Sequence, residues 1–99
     1  MAHRLSRAAR KDIVEIYLRS EEMFGEAQAD RYLAGLYGVL AFLAENPRSA
    51  RERIEFDPPV RVHPYKAHLV IYETDGDDVF IIRLRHGHED WRPFPAGDD

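Results

Sequence analysis

The residues of this sequence that could do chemistry gather near its end, where two histidines flank one glycine. His86 and His88 are two positions apart, and side chains two apart on an extended strand point the same way. Both imidazoles could therefore converge on one metal ion. A metal site needs further ligands close in space, and Glu89 and Asp90 are only neighbours along the chain. We therefore predict no metal site and no cofactor.

A second group of candidate residues is basic and lies on or beside predicted strands. A sheet face that carries arginines and histidines could hold a phosphate backbone, and His or Arg could assist RNA cleavage. The other interpretation is that Arg83 and Arg85 are side chains at a strand end whose charged heads reach water. The group comprises Arg61, His63, Lys66, Arg83, Arg85, His86, His88 and Arg92.

Composition and motifs exclude several classes of function. The 99 residues include 14 basic and 18 acidic side chains, which gives a formal net charge of −4 with histidine neutral. Direct nucleic-acid binding driven by a global positive charge is therefore not expected. The absence of cysteine removes thiol nucleophiles and thiolate metal sites. Because the sequence also contains no G-x-S-x-G, P-loop or G-x-G-x-x-G motif, we predict no catalytic residue.

Helical periodicity predicts two helices that are joined around Gly25. Ser6 is a suitable N-cap for a first helix over Arg7–Phe24. The second helix begins near Glu26 and ends at Asn46-Pro47. Apolar positions at helical spacing define one face of each helix. These are Ala9, Ile13, Ile16, Tyr17, Ser20 and Phe24 on the first helix, and Ala29, Tyr32, Leu33, Leu36, Leu40 and Leu43 on the second.

The rest of the chain is typical of strands. Residues 60–64, 69–74 and 79–84 are rich in β-branched and aromatic side chains, residues 75–78 resemble a tight hairpin turn, and residues 3–6 could form a first strand. The last two strands are apolar on both faces, which indicates central positions. We predict an α+β fold of β-α-α-β-β-β order, an antiparallel sheet with a two-helix hairpin packed on one face. A single domain covers residues 1–92, and residues 93–99 form a flexible tail.

The helices carry more apolar surface than a thin two-layer domain can bury. Val14 and Leu18 lie off the main face of the first helix, and small or apolar residues lie away from the leucine stripe of the second. Gly35 and Gly38 each cost about 1 kcal/mol relative to alanine in a helix, which the close approach of another backbone would explain. Packing of the two helices against each other accounts for some of these positions. The surplus predicts a protein partner.

Short motifs follow one another in a definite order over residues 3 to 92. They are Arg4-Leu5-Ser6-x-Ala8-Ala9, Asp12-Ile13, Ile16-Tyr17, Phe24-Gly25, Ala29 with Arg31-Tyr32, Leu36, Leu43-x-x-Asn46-Pro47-Arg48, Val62-x-x-Tyr65, Val70-Ile71-Tyr72 and Ile82-x-x-x-His86-Gly87-x-x-Asp90-Trp91. Their order and spacing resemble the ParE branch of the RelE/ParE superfamily, the toxins of bacterial type II toxin–antitoxin pairs. The family fold is the β-α-α-β-β-β arrangement predicted above.

This resemblance implies a non-catalytic toxin that poisons DNA gyrase. Direct binding of a cognate ParD-like antitoxin in a hetero-oligomer would neutralise it. The alternative is a RelE-like ribosome-dependent mRNA endonuclease. Such enzymes use a basic cluster with a C-terminal Tyr or His, whereas no Tyr follows the last predicted strand here. With no run of 18 apolar residues to span a membrane, we expect a cytoplasmic protein.

The resemblance and the surface residues together predict two contact regions. Residues at the end of the last strand are candidates for target contact. Apolar residues on the helices are candidates for antitoxin contact, with basic residues that could pair with antitoxin acids. The target candidates are Arg83, Arg85, His86, His88 and Trp91, and the antitoxin candidates are Val14, Leu18, Ala34, Ala41, Phe42, Arg61 and Lys66.

Overall fold

A computed structural model describes residues 2–87 and confirms the α+β fold, with two antiparallel helices on one face of a five-stranded sheet. No helix within these residues has the length and apolar character needed to cross a membrane. The tail predicted for residues 93–99 lies outside the described residues. The elements are β1 (His3–Leu5), α1 (Arg7–Phe24), α2 (Glu26–Glu45), β2 (Glu52–Arg53), β3 (Val60–Tyr65), β4 (His68–Asp75) and β5 (Asp78–His86).

The sheet is mixed, so the prediction of a wholly antiparallel sheet is wrong at β1. The strand order is β1-β5-β4-β3-β2, and β1 pairs in parallel with β5 while the other pairs are antiparallel. A parallel pair needs a long crossover connection, and the helical hairpin followed by β2, β3 and β4 supplies one. The sequence analysis also missed β2, which has two residues and is too short to show an alternating pattern.

Ser6 joins the end of β1 to the start of α1 and confirms the predicted N-cap. Its hydroxyl oxygen accepts a hydrogen bond from the backbone N–H of Ala9 at 2.9 Å. The same hydroxyl donates to the carbonyl of Ile82 at 2.6 Å, and the Ser6 N–H donates to the carbonyl of Ile81 at 2.9 Å. Because Ser6 is itself buried, these bonds fix where the helix starts relative to β5.

The core lies between the helical hairpin and the sheet. Leu36, Leu40 and Leu43 of α2 are fully buried, as the leucine stripe predicted. Buried positions of α1 are confined to Ala9, Asp12 and Ile13 in its first two turns. The predicted apolar face of α1 is therefore longer than its buried part, and Phe24 at the end of that face is 58% exposed.

The hairpin is closed by a side-chain contact between the two helices. The Tyr17 hydroxyl of α1 donates to Oδ1 of Asp30 on α2 at 2.7 Å. This hydrogen bond to a carboxylate stabilises the protonated phenol and raises the pKa of Tyr17 to about 12. Gly25 connects the helices with φ of 92°, in the region that favours glycine.

The two glycines inside α2 have different surroundings. A Cβ atom at Gly35 would collide with the Tyr65 hydroxyl, which donates at 2.9 Å to the carbonyl of Tyr32. A Cβ atom at Gly38 would meet nothing within 4 Å. A side chain of β3, and not another backbone, therefore accounts for Gly35. No contact within the described residues requires Gly38.

The glycine pair gives a test of this packing. Gly38→Ala should raise the free energy of unfolding by roughly 0.5–1 kcal/mol, because alanine loses less backbone entropy in a helix. Gly35→Ala must also displace the Tyr65 hydroxyl, so we expect it to be less stable than Gly38→Ala by about 1 kcal/mol. Urea unfolding measures both variants. In a Tyr65→Phe background the difference should shrink, and equal stabilities in the wild-type background would contradict the contact.

Candidate functional site

A groove opens between α1, the first turns of α2, the start of β4 and the end of β5. Its helical wall mixes apolar and charged side chains, and its strand wall is mostly basic. We use "the groove" for this surface, lined by Asp12, Glu15, Ile16, Leu18, Arg19, Ser20, Glu22, Met23, Phe24, Gln28, Tyr32, Ala67, His68, Arg83, Leu84, Arg85 and His86.

The helical wall of the groove presents large apolar side chains to solvent. Leu18, Met23 and Phe24 are 55%, 62% and 58% exposed. Single exposed apolar residues are ordinary, but several on one surface are typical of an interaction site. Of these three residues the sequence predicts only Leu18 as a contact residue, and the prediction that Phe24 lies on a buried face of α1 is wrong.

The floor of the groove is held by an ion pair between α1 and β5. The Arg83 guanidinium donates to both carboxylate oxygens of Asp12, at 2.8 Å from Nε and 3.0 Å from Nη2. The backbone N–H of Leu84 donates to Asp12 Oδ2 at 3.0 Å. The Asp12 side chain is only 10% exposed and the Arg83 side chain only 19%. Arg83 is therefore committed to an internal contact that fixes α1 on β5.

A cluster of aromatic rings and imidazoles lies where Tyr32 of α2 meets the end of β3 and the start of β4. The Tyr32 hydroxyl and Nδ1 of His68 are 2.6 Å apart, and the ring of His68 lies edge-on to the ring of His86 with 5.4 Å between centroids. Tyr32 also packs on Tyr65 at 5.1 Å, and the Lys66 ammonium lies 5.7 and 5.6 Å from the centroids of these two rings. The cluster places imidazole, phenol and ammonium groups at one end of the sheet.

Burial changes the acidity of both tyrosines in this cluster. It raises the pKa of Tyr32, which is also raised by the nearby Tyr65 and lowered by a backbone hydrogen bond with Ala67. Burial likewise raises the pKa of Tyr65. Both phenols are therefore neutral hydrogen-bonding groups at physiological pH. Within residues 2–87, no three His, Asp or Glu side chains come together as a metal site.

The structure brings some of the predicted target-contact residues together. Arg83, Arg85 and His86 all line the groove. His88 and Trp91 lie outside the described residues, so their positions remain predictions.

The predicted antitoxin-contact residues are distributed over more than one surface. Leu18 lines the groove, while Val14 lies in a separate shallow depression. Phe42 is 46% exposed, with its ring centroid 5.9 Å from that of His63 on β3. Ala34 and Ala41 are exposed on α2. All five apolar candidates are therefore at the surface.

The two basic antitoxin candidates have different surroundings. The Arg61 guanidinium donates to the carbonyl of Ala50 at 2.6 Å and is half-buried. Lys66 is exposed beside the tyrosine rings, with a positive φ of 52°. Of these two residues, Lys66 therefore presents its charge more openly to a partner.

Sequence reasoning missed several residues that build the groove. Asp12, Tyr32 and His68 received no functional role, although each makes a defining contact there. Asp12 carries the one signal that could have been read locally, since an acid between the core positions Ala9 and Ile13 needs a partner when buried. The other contacts join residues far apart in sequence.

Comparisons with known proteins agree with this fold. Residues 4–91 match the family described as ParE toxin of type II toxin-antitoxin system, parDE. The chain is 32% identical over 84 residues to Toxin ParE1 of Caulobacter vibrioides, which covers 85% of this chain and 86% of that protein. It is 30% identical over 87 residues to Toxin ParE1 of Mycobacterium tuberculosis, and this match covers 87% of this chain and 89% of that protein.

A solved structure has a similar fold. It is titled Chromosomal ParDE TA system from P. aeruginosa and superposes with a TM-score of 0.74. The match covers 87% of this chain and 95% of that one at 18% sequence identity. At this identity the likeness establishes the fold alone.

The Asp12–Arg83 pair predicts a structural cost at a candidate contact residue. Arg83→Ala would leave a nearly buried carboxylate without its bidentate partner, and we expect it to lower the free energy of unfolding by about 3 kcal/mol. The control is Arg10→Ala, which removes an exposed arginine of α1 near Asp12 and should change the free energy of unfolding by at most about 0.5 kcal/mol. Urea denaturation followed by circular dichroism measures both. A loss for Arg83→Ala no larger than that for Arg10→Ala would show that the pair does not support the fold.

Proposed function

This chain belongs to the ParE toxin family of type II toxin–antitoxin systems, and on that premise we propose that a ParD-like antitoxin neutralises it by direct binding and that it inhibits growth by poisoning DNA gyrase. Its place of action would be the cytoplasm, where gyrase works. The observation that carries the antitoxin proposal is the exposed apolar surface of the two helices.

Each helix of the hairpin exposes apolar or small residues that a partner helix could cover. Val14 and Leu18 are one turn apart on α1 and are 56% and 55% exposed. Ala34 and Ala41 are exposed two turns apart on α2, so a partner helix could approach the α2 backbone closely there. Such spacing suits helix-in-groove docking, in which apolar side chains of the partner cover exposed apolar positions.

Electrostatic attraction would raise the association rate of the antitoxin and orient it on the toxin. Lys66 and Arg85 border the groove with positive charge, although the whole chain carries a formal charge of −4. An acidic extended segment of the antitoxin would meet these residues. Rim charges of this kind raise association rates more than they add affinity. A segment that is disordered when free would order as it binds.

The antitoxin proposal predicts a ranking of variants. Leu18→Glu and Ala41→Glu each place a charge on the proposed apolar contact, and we expect each to weaken antitoxin binding at least about tenfold, or roughly 1.4 kcal/mol. Arg61→Ala should weaken it less, because the Arg61 guanidinium is already bonded within the chain. Titration calorimetry of the purified toxin with its antitoxin measures all three.

Ser49→Glu is the matched control, since it puts the same charge on an exposed position after α2. Its affinity should equal that of the wild type. Unchanged binding by both the Leu18→Glu and the Ala41→Glu variant would place the antitoxin on another surface, with the sheet face next to be tested.

The proposed target contact is the end of β5. Arg85 and His86 line the groove, and His88 and Trp91 follow them in the sequence. Arg83 belongs to the same segment, but its bidentate bond to Asp12 gives it a structural role as well. A toxin that blocks a large enzyme without catalysis needs a contact surface of this kind, with cationic and aromatic side chains as its anchors.

The target proposal predicts that binding and folding can be separated. Arg85→Ala, His86→Ala and Trp91→Ala should each reduce growth inhibition at equal expression with little change in melting temperature. Arg83→Ala should reduce both. Growth inhibition and DNA supercoiling by purified gyrase are the two readouts. Full inhibition of growth and gyrase by all four variants would place the contact elsewhere.

One observation keeps a second candidate function, the RelE-like mRNA endonuclease, open to test. His68, His86 and the Tyr32 hydroxyl lie together beside Lys66, and imidazole, phenol and ammonium groups can support acid–base cleavage of RNA. Expression of the toxin without antitoxin separates the two proposals. Loss of supercoiling before loss of protein synthesis supports the gyrase proposal, whereas cleavage of ribosome-bound mRNA supports the endonuclease.

A further inference from the structure

The solvent-facing side of α1 changes character along the helix, from cationic through apolar to acidic. This side lies away from the buried Ala9 and Ile13, and its residues fall within about 120° of one another at 3.6 residues per turn. Its two apolar members, in the middle, are more than half exposed. We use "the α1 stripe" for Arg10, Lys11, Val14, Leu18, Glu21 and Glu22.

The charges of the α1 stripe are placed against the stability of α1 itself. Anions stabilise a helix near its N-terminus and cations near its C-terminus. Helix α1 has no acidic residue in its first turn and no basic residue in its last, whereas α2 has Glu26 in its first turn. Arg10 and Lys11 form no ion pair within residues 2–87 that would offset their position. Folding of a single chain therefore does not account for this charge order.

The α1 stripe is complementary to itself when a second copy of α1 runs antiparallel to the first. If Val14 of each copy packs against Leu18 of the other, a two-fold axis passes near position 16 and residues whose numbers add to about 32 face each other. Each facing pair outside the apolar centre then joins opposite charges, and Glu15 and Arg19 beside the stripe also face each other. The pairs of the stripe are Val14 with Leu18, Lys11 with Glu22 and Arg10 with Glu21.

We propose that two copies of this chain form a two-fold symmetric dimer through their α1 stripes, with the two helices antiparallel. The N-terminal cations of each helix then lie beside the C-terminal acids of the other, which offsets their unfavourable position in the isolated helix. Apolar burial at Val14 and Leu18 supplies the attraction. The charges select the antiparallel direction, because a parallel pair would bring like charges together.

The size of the contact indicates a weak dimer. Helix α1 has 18 residues and is about 27 Å long, so one pair of helices buries less than the roughly 1,200–2,000 Å² of a stable interface. We expect a dissociation constant of the order of 10 µM. The dimer follows from the charge order of α1 and does not depend on the proposed target or antitoxin. An antitoxin that covers Val14 and Leu18 would displace the second copy.

Sedimentation equilibrium of the purified full chain, without antitoxin, tests the proposal over about 1–300 µM, which spans the expected dissociation constant. Lys11→Glu and Glu22→Lys should each weaken dimerisation at least about tenfold, because the symmetry turns each change into two like-charge contacts. The double variant Lys11→Glu/Glu22→Lys exchanges the signs and should dimerise within about threefold of the wild type. Arg51→Glu is the matched control, on an exposed residue before β2, and should dimerise as the wild type does.

Cysteine cross-linking tests the geometry separately from the charges. The chain has no cysteine of its own, so Val14→Cys/Leu18→Cys places facing thiols at the proposed contact, and mild oxidation should link two copies. Ala34→Cys/Ala41→Cys, on the exposed side of α2, should remain monomeric.

The double charge variant also protects the test against loss of folding. Its new charges agree with the helix dipole, so it should melt at no lower temperature than the wild type. A wild-type chain that stays monomeric at the highest concentration would overturn the proposal. So would a double charge variant that dimerises no better than Lys11→Glu alone, or cross-linking through α2 in place of α1.

Discussion

The structure depends on hydrogen-bonding the backbone groups along one edge of β5, because β1 is too short to pair with all of that edge. β1 pairs only with residues 79–81, and beyond them the backbone of β5 still has polar groups that need partners. The Ser6 hydroxyl donates a hydrogen bond to the carbonyl of Ile82, and the Asp12 carboxylate accepts one from the N–H of Leu84. A buried backbone group without a partner would cost about 1–3 kcal/mol. Two side chains of the same helix region thus replace the missing part of a strand.

This edge closure also sets the position of the groove. Ser6 and Asp12 fix the first turns of α1 against β5, and the buried residues of α1 are confined to that part. The rest of the helix continues past the core, so Leu18, Met23 and Phe24 remain exposed. The carboxylate that closes the edge is nearly buried and requires a counter-charge, which Arg83 provides. The position of the first turns of α1 on β5 therefore determines both the ion pair at the floor of the groove and the exposure of its apolar wall.

The sequence predicted what local patterns determine and missed what strand pairing determines. The two helices, the Ser6 cap, the leucine stripe and the central place of β4 and β5 follow from spacing within single elements. Tyr72 pairs with Ile81 whereas Ile71 pairs with Arg83, so Ile82 is an extra, bulged residue of β5 opposite the step from Ile71 to Tyr72. Ile81 and Leu84 consequently both face the helices although they are three positions apart, which simple alternation does not allow. The parallel pairing of β1 and the meeting of His68 with His86 likewise depend on contacts between distant segments.

The shared groove bears on how neutralisation would work under the proposed function. Leu18, a candidate for antitoxin contact, and Arg85 and His86, candidates for target contact, line the same surface. An antitoxin segment seated over Leu18 and continuing along the groove would cover the end of β5, so it would exclude the target sterically without any change in the toxin's conformation. The anchoring of α1 to β5 through Asp12 and Arg83 favours this simple competition over an induced rearrangement. Moving α1 away from β5 would break a nearly buried ion pair and reopen the strand edge.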